Sequence, residues 1–144
     1  MYNIHPIMKT KTIRQTINFK AKPFEVFDMI MDSKKHGEIT NADTSMSRKI
    51  KGKFSVYGGY ATGYNMELVE GEKIIQAWKF DEDGWPEDHH SICCFHFEKT
   101  AHGTRLVFEQ SGVPEHKFEA LKKGWHEYYW SPMKKFIEDH KHIL

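Results

Sequence analysis

The amino-acid sequence predicts an α+β fold: a curved antiparallel sheet wrapped around a long C-terminal helix, with two short helices after the first strand. Three observations carry this reading. Between residues 43 and 111, six segments show apolar residues at every second position and are separated mostly by glycine-marked turns, which is the pattern of half-buried strands. From Phe118 the period becomes helical, and one face of that helix is mostly aromatic. Ahead of both lie one alternating segment and two short helical patterns. A sheet and a helix each have one face to bury, and laying one across the other buries both.

In chain order, "TIRQTINF" puts Ile13, Gln15, Ile17 and Phe19 on one face and Arg14, Thr16 and Asn18 on the other, which defines the first strand. In "KPFEVFDMIMD", Pro23 suits a first helical position, where no N–H is needed. Phe24, Phe27, Ile30 and Met31 form its apolar stripe. "SKKHGEIT" opens on Ser33, read as the N-cap of a second short helix. The six later strands are "DTSMSRKI", "KFSVYGGY", "TGYNMELVE", "EKIIQAWKF", "HHSICCFHF" and "TRLVFEQS". Gly52, Gly58-Gly59, Gly71, Asp83-Gly84 and Gly103 supply turns between them, and links this short join antiparallel neighbours. The longest link, "DEDGWPEDH", is polar apart from Trp85-Pro86 and reads as a rim loop.

The long helix follows Pro114. On a helical wheel Leu121, Trp125, Tyr128, Tyr129, Pro132, Met133 and Phe136 fall within about 140° of one another. Trp130 and Ile137 lie beyond the edge of that stripe. Pro132 lacks the N–H that would bond Tyr128, so the helix should bend or loosen there. The expected organisation is an N-terminal extension over 1–11, with Met1 or Met8 as the start, and a single domain over 12–142.

A chain of 144 residues fits one domain and can bury about two-thirds of its unfolded surface. With 21 basic and 20 acidic residues and no run of Lys or Arg, it lacks the footprint of a nucleic-acid binder. No segment approaches the ~20 apolar residues of a membrane span. The polar face of the long helix mixes Glu119, Lys123, Glu127, Lys134 and Glu138, which does not suit a membrane surface. The N-terminus lacks the apolar run of a signal peptide. The adjacent Cys93 and Cys94 are poorly placed to bridge each other. They read as reduced thiols, and a cytoplasmic location is expected.

The run "KGKFSVYGGYATGYNMELVEGEKIIQAWKF", then "GWPEDHHSICCFHF", "GTRLVFEQSGVP" and "GWHEYYWSPMKKF", resembles the activator of heat-shock-protein-90 ATPase homologue family. It is similar in particular to that co-chaperone's C-terminal domain, over roughly residues 12 to 140. The resemblance implies a helix-grip fold of the START-like, or SRPBCC, superfamily. Many members of that superfamily bind apolar ligands between sheet and helix, and some do chemistry there. It also implies a possible partner, the heat-shock-protein-90 chaperone, and a role in the stress response.

Alternation places Ile74, Gln76, Trp78 and Phe80 on one strand face, Ser91, Cys93, Phe95 and Phe97 on another, and Leu106 with Phe108 on a third. These should meet Trp125, Tyr128, Tyr129 and Met133. Two readings stand: a packed core, or a cavity for a hydrophobic small molecule entering near "DEDGWPEDH". In the second, the ligand residues are Gln76, Trp78, Phe80, Phe95, Phe97, Phe108, Trp125, Tyr128, Tyr129 and Met133, with Tyr128, Tyr129 or Gln76 orienting the ligand. No cofactor is implied.

His89, His90, Cys94 and His96 lack the spacing of a structural zinc site, so no metal is expected. His126 sits at the stripe's edge. Glu87, Asp88 and His89 look like an acid/base cluster but fall in the rim loop, and no nucleophile or phosphate-loop motif occurs. No catalytic residue is assigned, and an enzyme on this scaffold is the weakest alternative. Trp130 and Ile137 are either exposed partner anchors or, for Trp130, packed under the short helices. Arg48, Lys49, Lys79 and Arg105 either meet an acidic partner or face solvent.

Overall fold

The computed structural model describes residues 8–141. The stretch before Met8 lies outside the described residues. Strand β1 (Thr10–Phe19) begins two residues inside the predicted extension and is followed by helices α1 (Pro23–Met31) and α2 (Ser33–Thr40). Six strands follow: β2 (Ser45–Met46), β3 (Lys53–Val56), β4 (Ala61–Val69), β5 (Lys73–Phe80), β6 (Ser91–Thr100) and β7 (Gly103–Pro114). After one 3-10 turn the chain closes with a continuous helical stretch. It comprises α3 (Phe118–Trp125), a π turn (His126–Trp130) and α4 (Ser131–Asp139).

The seven strands form one antiparallel sheet in the order β1-β7-β6-β5-β4-β3-β2. The short hairpins read from the sequence make β2 to β7 a meander, and β1 returns to pair with β7. Register shifts between Lys11 and Ile13 and between Asn65 and Glu67 add the local twist that curves a sheet. Gly63 also permits close strand approach. A Cβ there would stand 1.7 Å from the Ala77 carbonyl oxygen and 2.7 Å from the Phe54 ring.

The core lies on the sheet's inner face. Ile13, Ile17, Ile74, Trp78, Cys93, Phe95, Leu106 and Phe108 meet Trp125, Trp130 and Met133 there. Helices α1 and α2 close one end, with Phe27 edge-on to Phe97 at 5.7 Å between centroids.

The structure corrects the sequence reading at four points. Phe24 does not join the α1 stripe. It is 53% exposed, while α1 buries Val26, Phe27, Met29, Ile30 and Met31. The N-cap of α2 is Asp32, whose carboxylate accepts from the Lys35 N–H at 2.9 Å. The Ser33 hydroxyl instead accepts from the Met46 N–H at 2.8 Å and holds α2 to β2. "DTSMSRKI" yields only the two-residue β2, because the buried Asn65 amide donates to the Ser47 and Lys49 carbonyls and pulls that segment into a loop.

The fourth correction is helical phase. Ser131 donates its N–H five residues back to the His126 carbonyl, so the π turn offsets everything after it from a uniform wheel. Trp130 is therefore 1% exposed and Tyr128 is 53% exposed. Ile137 is buried too, so neither Trp130 nor Ile137 is an exposed anchor. The loosening expected from Pro132 takes this form. The Tyr128 carbonyl, which Pro132 cannot serve, accepts from the Tyr57 hydroxyl.

Candidate functional site

Sheet and helix do not meet along their whole length. On the β3–β5 side they part, leaving a half-open cleft of about 690 Å³. One wall is Tyr57 and Tyr60 at the β3–β4 turn, Ala61, and Trp78 and Phe80 of β5. The other is the helix, which presents Ala120, Leu121, Gly124, Trp125, Tyr128 and Tyr129. The space has a sequence cause. Two of the helix positions that face it are alanine and glycine, and a Cβ built on Gly124 would meet only the Tyr128 ring, at 3.7 Å. At the mouth, Lys117 lies 3.6 Å from Glu82 and donates to the Asp83 carbonyl at 2.6 Å.

Most hydrogen-bond donors on the aromatic walls are already used. Trp78 Nε1 donates to Gln76 Oε1 at 2.9 Å, and Trp125 Nε1 donates to Gln110 Oε1 at 2.7 Å. Tyr60 donates to Glu82 at 2.9 Å. Tyr129 reaches His36 Nε2 at 2.9 Å, while His36 Nδ1 lies 2.8 Å from the Ile30 carbonyl. A carbonyl only accepts, so Nδ1 carries the proton and Tyr129 is the donor. Among the described residues no buried side-chain nitrogen or oxygen lacks a partner. The walls therefore offer aromatic surface more than polar grips.

Burial also fixes the charge state. It lowers the pKa of His36 and raises that of Tyr129. Burial, with a smaller contribution from Tyr128, pushes Tyr57 up to about 12. Burial first and then Glu82 raise Tyr60. All four groups are neutral at pH 7. Tyr57 holds φ at 51°, an uncommon conformation for a bulky residue and one kept only where its surroundings enforce it.

Of the residues singled out in the sequence, Trp78, Phe80, Trp125, Tyr128 and Tyr129 line the cleft. Gln76, Phe95, Phe97, Phe108 and Met133 do not. They sit in the packed core, where sheet and helix are in contact. Gln76 is fully enclosed and bonds Asn65 and Trp78. Sequence reading missed Tyr57, Tyr60, Ala120 and Gly124. Two tyrosines flanking Gly58-Gly59 were the available signal for the first pair. His36 gave no signal at all.

In the rim loop, Trp85 is 8% exposed and donates to the His89 carbonyl at 2.8 Å, so the loop is pinned to Phe80. Asp88 points to solvent and His89 bonds the Gly112 carbonyl at 2.6 Å, so the two do not form a working pair. His90 stacks edge-on to Tyr64, and His96 and His126 are exposed. Among the described residues no three His, Cys, Asp or Glu side chains converge. Cys93 is buried and Cys94 half-buried, and neither is bridged. Arg48 pairs with Asp28 at 2.8 Å, and Lys79 approaches Asp88 at 3.7 Å. Lys49 and Arg105 face solvent. Among the described residues no helix is long and apolar enough to cross a membrane.

A sequence-family profile described as "Activator of Hsp90 ATPase homolog 1-like protein" matches residues 20–138. The chain is 30% identical over 128 residues to the "Activator of 90 kDa heat shock protein ATPase homolog" of Dictyostelium discoideum, covering 87% of this chain and 33% of that protein. It is 32% identical over 87 residues to "Activator of 90 kDa heat shock protein ATPase homolog 2" of Mus musculus, covering 60% of this chain and 26% of that one. The chain thus spans about a third or less of the length of these relatives. Among solved structures, an HSP90 activator from Plasmodium falciparum superposes with a TM-score of 0.77 at 21% identity, covering 91% of this chain and 96% of that one. A protein from Mesorhizobium loti gives the same TM-score at 16% identity, covering 90% and 98%. At these identities the superpositions establish the fold, which is the START-like helix grip.

Proposed function

The chain belongs to the activator of Hsp90 ATPase homologue family, and on that premise we propose that it is a non-catalytic cytoplasmic binding protein for a hydrophobic, ring-containing small molecule. One observation carries this reading: the aromatic-walled cleft of about 690 Å³ held open by Ala120 and Gly124. Its volume falls within the ~300–1,000 Å³ of small-molecule sites. Binding would draw on apolar burial at about 25 cal/mol per Å² and on ring contacts with Trp78, Trp125 and Tyr129.

The test is native mass spectrometry of the protein purified from its own cells, set beside its denatured mass. A discrete extra mass that vanishes on unfolding, and that is missing from Gly124→Leu, supports the reading. A bare mass, together with no quenching of Trp fluorescence by aromatic probes, overturns it.

A second reading rests on what the relatives are called. Two are described as activators of the 90 kDa heat shock protein ATPase. On this reading the domain is a partner of that chaperone in the stress response. The test is the ATPase rate of the chaperone from the same organism. An unchanged rate, with no complex at high micromolar concentration, ends this reading.

A further inference from the structure

Away from the cleft, a second hollow of about 370 Å³ lies between the β1–α1 link, the β6–β7 turn and the end of the C-terminal helix. Three segments far apart in sequence bring lysines to it: Lys20 and Lys22, then Lys99, with His102 nearby, then Lys141. One carboxylate, Glu25, joins these four lysines in the lining. Lys141 pairs with Glu138 at 3.1 Å, whereas Lys20, Lys22 and Lys99 make no ion pair among the described residues. The floor is apolar, with Ala21 and Ile137 at 8% and 5% exposure.

The hollow is rigidly built. Thr104 Oγ1 donates to the Ala21 carbonyl at 2.7 Å and ties the link to β7. Gly103, at φ 144°, lies so close to β1 that a Cβ would come 2.2 Å from the Phe19 carbonyl oxygen. Five carboxylates, Asp81, Glu82, Asp83, Glu87 and Asp88, share the loop between β5 and β6, and none of them lines the hollow. Like charges brought together work against folding, and Glu25 with the Lys141–Glu138 pair offsets only part of this crowding. A ligand of opposite charge would offset the rest.

We propose that this hollow docks an acidic segment of a partner protein, whose carboxylates pair with Lys20, Lys22, Lys99 and Lys141 over the apolar floor. Three features favour a peptide over other anions. The cations are all lysines, without the arginine fork that reads phosphate bidentately. They ring one hollow and do not form the stripe a nucleic-acid backbone needs. An apolar floor within a charged rim fits a segment that alternates acidic and apolar side chains. The inference does not depend on cleft occupancy.

The test is fluorescence anisotropy with a fluorescein-labelled Asp-Glu-Leu-Asp-Glu-Leu-Glu peptide and its Asn/Gln counterpart. The expected result is binding by the acidic peptide that weakens at least about tenfold between low and physiological salt. The amide peptide should bind at least about tenfold more weakly. The double variant Lys20→Glu/Lys99→Glu should lose binding without a lower melting temperature, because it relieves like-charge crowding. The control Lys122→Glu/Lys134→Glu, on the exposed side of the long helix, should bind as the parent does. Three results overturn the proposal: no binding at millimolar peptide, equal binding by the double variant, or tighter capture of a single-stranded oligonucleotide or of phosphatidylserine vesicles through the same lysines.

Discussion

The two sides of the C-terminal helix meet the same sheet and end differently. Toward β1, β7 and β6 the contact is solid. Phe108 lies 4.4 Å from Trp125, 5.1 Å from Trp130 and 5.0 Å from Phe95, centroid to centroid. Toward β3, β4 and β5 the helix turns Ala120 and Gly124 to the sheet, and the cleft opens. The difference shows that the space is set by two devices: small residues on one helix face, and a π turn that swings Trp130 into the solid side and Tyr128 to the mouth. Large side chains alone decide neither.

Trp130→Ala is the strongest way to break this contrast. The indole is 1% exposed, packs on Phe19, Phe108 and Trp125, and donates to Gln15 at 2.7 Å. Its loss should cost about 3–5 kcal/mol in urea unfolding. Tyr128→Ala, two residues away and 53% exposed, should stay within about 0.5 kcal/mol of the parent. Similar losses at both positions would mean that the π turn does not sort them.

Gln110→Leu ranks next. Gln110 is fully buried, accepts from Trp125 and donates to Ser91 at 2.9 Å. The leucine leaves the Trp125 N–H unpaired between the solid and open sides, at about 1–3 kcal/mol. A neutral result would show that water enters from the cleft to replace the amide, which a solvent-isotope or hydrogen-exchange measurement on the indole would register.

The pH dependence separates the groups that hold the cleft wall. His36 ties α2 to Tyr129 and its pKa is lowered by burial from 6.5. The unfolded chain then binds the proton that the folded chain refuses, so stability falls as pH drops below that value. Tyr57 is pushed up to about 12, so the unfolded chain ionises first and stability falls between about pH 10 and 12. Urea unfolding across pH should show both limbs. His36→Gln should flatten the acid limb alone, and Tyr57→Phe should reduce the alkaline limb, which Tyr60 and Tyr129 share. An acid limb that survives in His36→Gln would assign it to carboxylates.

The sequence reading reached the fold because strand alternation and turn glycines are local signals. The seven strands and the two early helices were legible from them. Trp78, Phe80, Trp125 and Tyr129 could be placed at the sheet–helix junction for the same reason. Trp130 and Tyr128 exchanged roles because a wheel assumes an unbroken α period, and Pro132 announced a disturbance without its size. Gln76 and Phe108 face inward as expected, yet which inward residues border empty space depends on contacts across the fold. His36 and Tyr129 stand 93 positions apart, and no local pattern links them.

The smallest expected effect tests the open side most directly. Gly124 sits in α3 with ordinary helical φ, and a Cβ there finds only ordinary contact with the Tyr128 ring. Gly124→Ala should therefore stabilise the protein by about 0.5–1 kcal/mol, the helix-propensity difference, read as a higher urea midpoint at unchanged slope. The same methyl enters the cleft, so a ligand held there should bind more weakly in proportion to the overlap. A glycine kept only for backbone reasons would give the reverse pairing: lower stability and unchanged binding. Gain in stability with loss of ligand would mean that this position gives up helix stability to keep the cleft open, a trade that none of the residues packed on the solid side makes.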